Sequence, residues 1–209
     1  MSNDGHGAPG QGGGADEMGR YVTVAAAMVI EEVRLRKFLQ APVARANTWP
    51  ENDWAGICAP WSDEAVRLEY REQLTAAIAE CDGWIDGTYA ELLLGIDEED
   101  GSLSVGFDEA SGSLVVEFEA RVDFPVPSLI WALTVFRGMA GFMVDDETGI
   151  VTVTADWDIQ AELLMLLEPG KSEFPGQAQP KAKDRAFDIR CAVGDSDESA
   201  SELIGRLSS

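Results

Sequence analysis

Residues 142–154 read FMVDDETGIVTVT: three acids in a row (Asp145, Asp146, Glu147), then Gly149, then alternating apolar residues and threonines. Two earlier segments repeat the pattern, GIDEEDGSLSV at 95–105 and GFDEASGSLVV at 106–116. Each has an apolar residue, Asp, an acid, two variable residues, Gly, one more residue, then Leu or Val. Such carboxylates are either a metal or catalytic site or the corners of a sheet. The choice decides whether the chain is an enzyme.

A calcium loop of the EF-hand type needs ligands at alternate positions, Gly at position 6 and Glu at position 12. DEEDGSLSVGFD (97–108) has its Gly at position 5 and Asp at position 12, and DDETGIVTVTAD (145–156) departs further. DSDESASE (195–202) has no Gly and reads as a solvated tail. As turns the segments fit better. Asp accepts hydrogen bonds from the backbone that follows it, and Gly supplies positive φ at no steric cost. The apolar residues on either side of each turn are where paired strands need them. The reading is therefore three sheet corners, with Asp145 and Gly149 serving backbone geometry in the last.

Working outward, the period-two runs at 102–107 and 113–122 predict strands, with Leu103, Val105, Phe107 and Leu114, Val116, Phe118 on one face. Residues 89–96 read as a third strand, and 142–145 with 150–155 as a hairpin. Ser62 N-caps a helix whose apolar stripe is Val66, Tyr70, Leu74, Ala77, Ile78 and Cys81, ended by Gly83 and Gly87. SLIWALTVFRGM (128–139) predicts a buried helix, and 156–167 a third helix with Ile159, Leu163 and Leu166 or Leu167 inward. Residues 21–46 read best as an additional N-terminal helix, although Tyr21–Val24 equally suits the start of a strand. TWPENDWAGICAPW (48–61) is a loop whose Trp49, Trp54 and Trp61 either pack on the core or form a binding surface.

The expected fold class is α+β: an antiparallel sheet of about five strands with helices on one face, in the order α-β-β-β-α-β-β-α, after that N-terminal helix. The expected organisation is a disordered Gly-rich tail (1–18), one domain over 19–168 with its core at about 62–168, and a mostly disordered tail (169–209). Within that tail Leu203, Ile204 and Leu207 make a short amphipathic piece suited to docking.

The net charge is −23, and residues 51–168 hold 26 acids against four arginines, a balance of −22, with no lysine or histidine. A field of that sign repels nucleic acid and anionic lipid and attracts basic partners. Solubility, or a salty or GC-rich host that avoids lysine, explains the same numbers. No segment approaches the ~20 apolar residues of a membrane span, and no secretory signal is visible, so a soluble, cytoplasmic protein is expected. Cys58, Cys81 and Cys191 form no C-x-x-C pair and suit reduced thiols; Cys81 is expected to be buried, and Cys58 is the one candidate reactive thiol. The single histidine, His6, lies in the N-terminal tail, which argues against Ser-His-Asp or Cys-His chemistry. No phosphate loop or dinucleotide-binding glycine pattern is present. The chain is expected to be no enzyme and to use no cofactor or metal.

The element order resembles the type III secretion chaperone-like fold and its YbjN-type relatives over about residues 62–168. The resemblance is carried by VEFEARVDFPVPSLIWALTVFRGMAGFMVDDETGIVTVTADWDI (116–159), in which a strand ends at FPVP, a helix follows, and an acid-rich turn leads to the next strands. It implies a small acidic binding module, often a homodimer, that holds another polypeptide, basic or partly unfolded. Residues to meet that partner are Trp49, Trp54, Trp61, Glu117, Glu119 and Asp156. The alternative is an immunity protein or charge mimic that blocks a basic toxin or nucleic-acid-binding protein. A carboxylate-dependent enzyme would need Glu91, Glu117 and Asp156 to converge.

Overall fold

At the centre of the fold lies a strand in the segment expected to be helical. The computed structural model describes residues 20–99, 103–122, 125–175, 179–194 and 198–209; the tail expected to be disordered at 1–18 lies outside them. Arg20–Val29 forms β1, followed by α1 (Glu32–Gln40). Val22, Val24, Ala26 and Met28 alternate into the core, and both edges of β1 are hydrogen-bonded, to β3 on one side and β4 on the other. Val22, Ala26, Val29 and Val33 fall at helical spacing and charged residues follow them, but pairing on both edges outweighs that local pattern. The helical half of that segment, with Glu32, Arg34, Arg36 and Lys37, is present as expected.

The remaining elements are α2 (Glu51–Trp54), α3 (Glu64–Trp84), α4 (Tyr89–Glu99), β2 (Ser104–Asp108), β3 (Ser113–Val122), α5 (Pro125–Met139), β4 (Gly149–Ala155), β5 (Asp158–Glu168), β6 (Lys171–Glu173), α6 (Pro180–Val193) and α7 (Ala200–Ser208). The fold is α+β, with one antiparallel sheet in the order β2-β3-β1-β4-β5-β6.

Five further assignments need correction. Residues 89–96 are helical: Thr88 and Glu91 form a reciprocal cap, in which the Thr88 N–H and hydroxyl donate to the Glu91 carboxylate (2.8 and 2.9 Å) and the Glu91 N–H donates back at 3.3 Å. Residues 156–167 are mostly strand: Leu163 and Met165 lie opposite Val153 and Val151, and Ala161, Leu163, Met165 and Leu167 are buried at period two. Residues 142–145 are not a strand; a 3₁₀ turn at Ala140–Phe142 and a loop lead straight into β4. The segment 169–209 contains β6 and two helices. α7 is capped by the Ser199/Glu202 pair and buries Leu203, Ile204 and Leu207, as the amphipathic pattern there anticipated. The α3 cap is one residue later than expected: Asp63 accepts the Ala65 N–H at 2.8 Å.

Helices cover both faces of the sheet. The main core lies between one face and α5, α4, α1 and α7, where Phe118 stacks on Phe136 at 6.5 Å and Phe38 on Tyr89 at 4.1 Å. α6 crosses the other face over β3, β1, β2 and β4, so helices are not confined to one side.

Candidate functional site

The three acidic segments have three different fates. At 106–116 the hairpin forms as read: Asp108 accepts the Ser111 N–H at 2.9 Å, and Gly112 takes φ +68°. The Ser111 hydroxyl also donates to this carboxylate, and the two bonds, the hydroxyl's first, hold the Asp108 carboxyl below its ordinary range. At 95–105 the formula joins α4 to β2 instead of two strands, and residues 100–102 lie outside the described residues. At 142–154 it joins α5 to β4, and the positive φ (73°) falls on Asp146 rather than on Gly149.

The working carboxylate in that last segment is Glu147, which is buried. It accepts the Glu31 N–H at 2.7 Å, the Val144 N–H at 2.8 Å and the Arg34 guanidinium at 2.6 Å. Burial pushes its pKa up, but the Arg34 and backbone hydrogen bonds and the Arg34 charge outweigh burial and hold the carboxyl below its ordinary value. Beside it the Val29 N–H donates to the Thr148 carbonyl (2.8 Å) and the Ile30 N–H to the Gly112 carbonyl (2.9 Å). Two acidic turns thus meet at Val29–Glu31, where β1 passes into α1. Among the described residues no three His, Cys, Asp or Glu side chains are grouped as a metal site requires.

The tryptophan loop is largely interior. Trp54 and Trp61 are buried, with indole N–H groups donating to the Ala46 (3.0 Å) and Ile57 (2.8 Å) carbonyls. Neither presents a surface to a partner, and Trp49 is half-buried beside them. Trp49, Trp54 and Phe174 instead surround the buried guanidinium of Arg137, whose Cζ lies 4.8, 4.2 and 5.4 Å from their ring centres. The Arg137 Nε donates to the Ser172 hydroxyl at 2.8 Å, while the buried Nη1 has no hydrogen-bond partner among the described residues. Burial lowers the Arg137 pKa to about 10. Gly56 makes the cage possible, since a Cβ there would lie 2.4 Å from Phe174 Cβ. A caged cation was not legible beforehand, because its partners come from 49–54 and 172–174, remote from position 137.

Glu117, Glu119 and Asp156 are placed apart. Glu117 and Glu119 lie on the sheet face that α6 crosses; Glu117 is ion-paired with Arg190 and Glu119 is exposed. Asp156 is exposed between β4 and β5, and Glu91 is the α4 cap. Glu91 and Glu117 line two separate clefts, so the three carboxylates proposed for acid–base work are not brought together. Cys58 is buried, and burial raises its pKa although the charge of Arg71 opposes the rise. A thiol raised in this way is a poor nucleophile.

One cleft, of about 460 Å³, lies where the end of α3, α4 and the start of α5 meet β1 and β3. Trp84, Trp131, Phe118 and Leu92 give it apolar walls, and Asp86, Glu91 and Arg121 supply charge. Trp84 is 43% exposed, and Trp131 meets Phe118 edge-on at 6.5 Å. Gly95 keeps this side of α4 flat: a Cβ there would meet nothing within 4 Å. The cleft is not legible in the sequence, because 89–96 read as a strand places these residues elsewhere. Among the described residues no helix is long and apolar enough to cross a membrane. No protein-family model, curated protein or solved structure matches this chain.

Proposed function

We propose that this chain is a non-enzymatic, chaperone- or adaptor-like module that holds a partner polypeptide by seating one of its apolar side chains in the α4–α5 cleft. The observation that carries this reading is the cleft itself: an apolar pocket with a partly exposed tryptophan at its mouth and Asp86 and Glu91 beside it. Pockets that bind specifically combine such apolar walls with a few placed polar groups. The carboxylates and the net charge of −23 favour a segment with basic residues next to its apolar anchor.

The alternative, a charge mimic that blocks a basic toxin, rests on charge alone. Exposed acids are spread over several elements, among them α3 (Glu64, Glu69, Glu72, Glu80), the sheet face carrying Glu119 and Glu162, the loop at 145–146, and Glu51, Glu109 and Asp156. A mimic needs its charge on one face.

Gly95→Leu supplies the test, because it fills the cleft from a helix position with room for a side chain. Wild type and G95L are immobilised and challenged with proteins from the native host, and W84A serves as a second cleft variant. The expected result is a partner retained by wild type and lost from both variants. Equal retention by all three removes the cleft from the function; retention that depends on salt but not on the cleft favours the charge mimic.

A further inference from the structure

The sheet face away from the main core has an acidic rim and an apolar floor. The strand register sets Glu117 beside Ala25, and Ala25 beside Thr152 and then Leu164. The next row holds Gly106, Val115, Ala27, Ile150 and Leu166, and the row on the other side Glu119, Thr23, Thr154 and Glu162. Ala27, Ile150 and Leu164 are buried outside the main core cluster, and so is Ile189 of α6. They form a second, smaller apolar layer.

α6 lies on this face like a ligand. Lys183 pairs with Glu162 and Arg190 with Glu117, at opposite ends of the crossing. Val193 rests on the bare backbone of Gly106, where a Cβ would come within 2.5 Å of its Cγ1. The helix carries four basic residues (Lys181, Lys183, Arg185, Arg190) against Asp184 and Asp188, in a chain with an overall charge of −23. Little of the helix itself is buried. Ile189 is its one buried residue, its N-cap Gln179 makes no side-chain capping bond, and Phe187 is 66% exposed on its outer side. Both ion pairs are half-exposed, the class that contributes least and is screened by salt. Beyond α6 the face continues to Glu119, which is exposed.

We infer that this face is a docking surface for a basic amphipathic helix of a partner protein, and that α6 is the chain's own displaceable occupant. The residues α6 uses specify the partner: a cation, an apolar residue and a second cation at the spacing of Lys183, Ile189 and Arg190, with a further cation within reach of Glu119. The inference is independent of the α4–α5 cleft, which lies on the opposite side of the sheet. Either can fail alone.

The test uses the full chain carrying Lys183→Glu and Arg190→Glu, which repels α6 from the face. The probe is a fluorescent synthetic peptide with the natural sequence of residues 179–194. By anisotropy the peptide should bind this variant at least about tenfold more tightly than it binds wild type, whose face is occupied. Binding should weaken by about tenfold or more between about 0.05 and 0.5 M salt, and adding Glu117→Arg and Glu162→Arg to the sheet should abolish it. Equal binding of a scrambled peptide, or no binding to a folded variant, overturns the inference. So does a variant that cannot fold, since α6 would then be an obligatory layer of the domain. Hydrogen exchange on the unaltered chain gives an independent check: α6 amides should exchange well before those of α5, and joint exchange with the core refutes displacement.

Discussion

Replacing Glu147 by alanine should be among the most damaging single changes in this protein, although it removes one acid from a chain with 38 Asp and Glu. The carboxylate is 7% exposed and faces Arg34, which is 19% exposed. Alanine would strand the Glu31 and Val144 N–H groups and leave Arg34 with Glu31, 2.9 Å away, as its remaining partner. Breaking a buried pair from one side costs about 3–5 kcal/mol, and the retained Glu31 contact places this case near about 3 kcal/mol. That is a large share of the roughly 5–15 kcal/mol that holds a domain together. Glu147→Gln keeps the shape and one acceptor but turns an amide N–H₂ toward groups that already donate, at about 2 kcal/mol. Because the folded pKa of Glu147 is held below its ordinary 4.5, its contribution is present above that pH and is lost as pH falls through the folded value. Urea unfolding of wild type, E147A and E147Q at a series of pH values provides the assay. The gap between wild type and E147Q should be widest near neutrality and close in acid. A loss below about 1 kcal/mol for E147A, or a gap that persists in acid, would refute the clamp between the 142–154 loop and the start of α1.

Arg137 should behave differently from Glu147. Arg137→Met exchanges a desolvated cation with an unbonded Nη1 for an apolar chain of similar length, and should change stability by less than about 1 kcal/mol. Arg137→Ala empties the cage and should cost about 3 kcal/mol; equal losses in thermal unfolding would show that the charge, not the volume, supports the cage. Gly112→Ala forces φ +68° and brings Cβ to 2.9 Å from the Ile30 carbonyl oxygen, and should cost about 2 kcal/mol. Gly95→Ala, in a helix with open space, should instead stabilise by about 0.5–1 kcal/mol in the same urea assay. Of the three thiols, a thiol reagent should label exposed Cys191 rapidly in the native protein and Cys58 and Cys81 after unfolding. Burial and the charge of neighbouring Asp82 push Cys81 up to about 12, so fast native labelling of Cys81 would contradict its placement.

Much of this architecture is written in local chemistry. The β2–β3 hairpin follows from Asp108 and Gly112, α3 from its apolar stripe, and α5 from a nearly all-apolar run between proline and glycine. Two helices, α4 and α7, carry capping boxes in the sequence, Thr88-x-x-Glu91 and Ser199-x-x-Glu202. β1 and β5 misled for a shared reason. Ala25–Ala27 and the Ala, Glu, Leu and Met of 161–168 are good helix formers, and they become strands because neighbours far along the chain offer both hydrogen bonds and a buried face.

Local sequence is enough for the α+β class, the hairpin at 108–112, the one-faced helix α3, the buried helix α5, and an acidity concentrated in residues 51–168. Each of those depends on spacing within one segment, where periodicity and turn chemistry act directly. Tertiary structure alone decided that Glu147 clamps α1, that Arg137 is caged by tryptophans, that Trp84 and Trp131 flank a cleft, and that α6 lies on an acidic sheet face. Those features join residues from 21 to more than 100 positions apart. Their energies come from desolvation and from charges brought close together, and neither exists until the chain has folded.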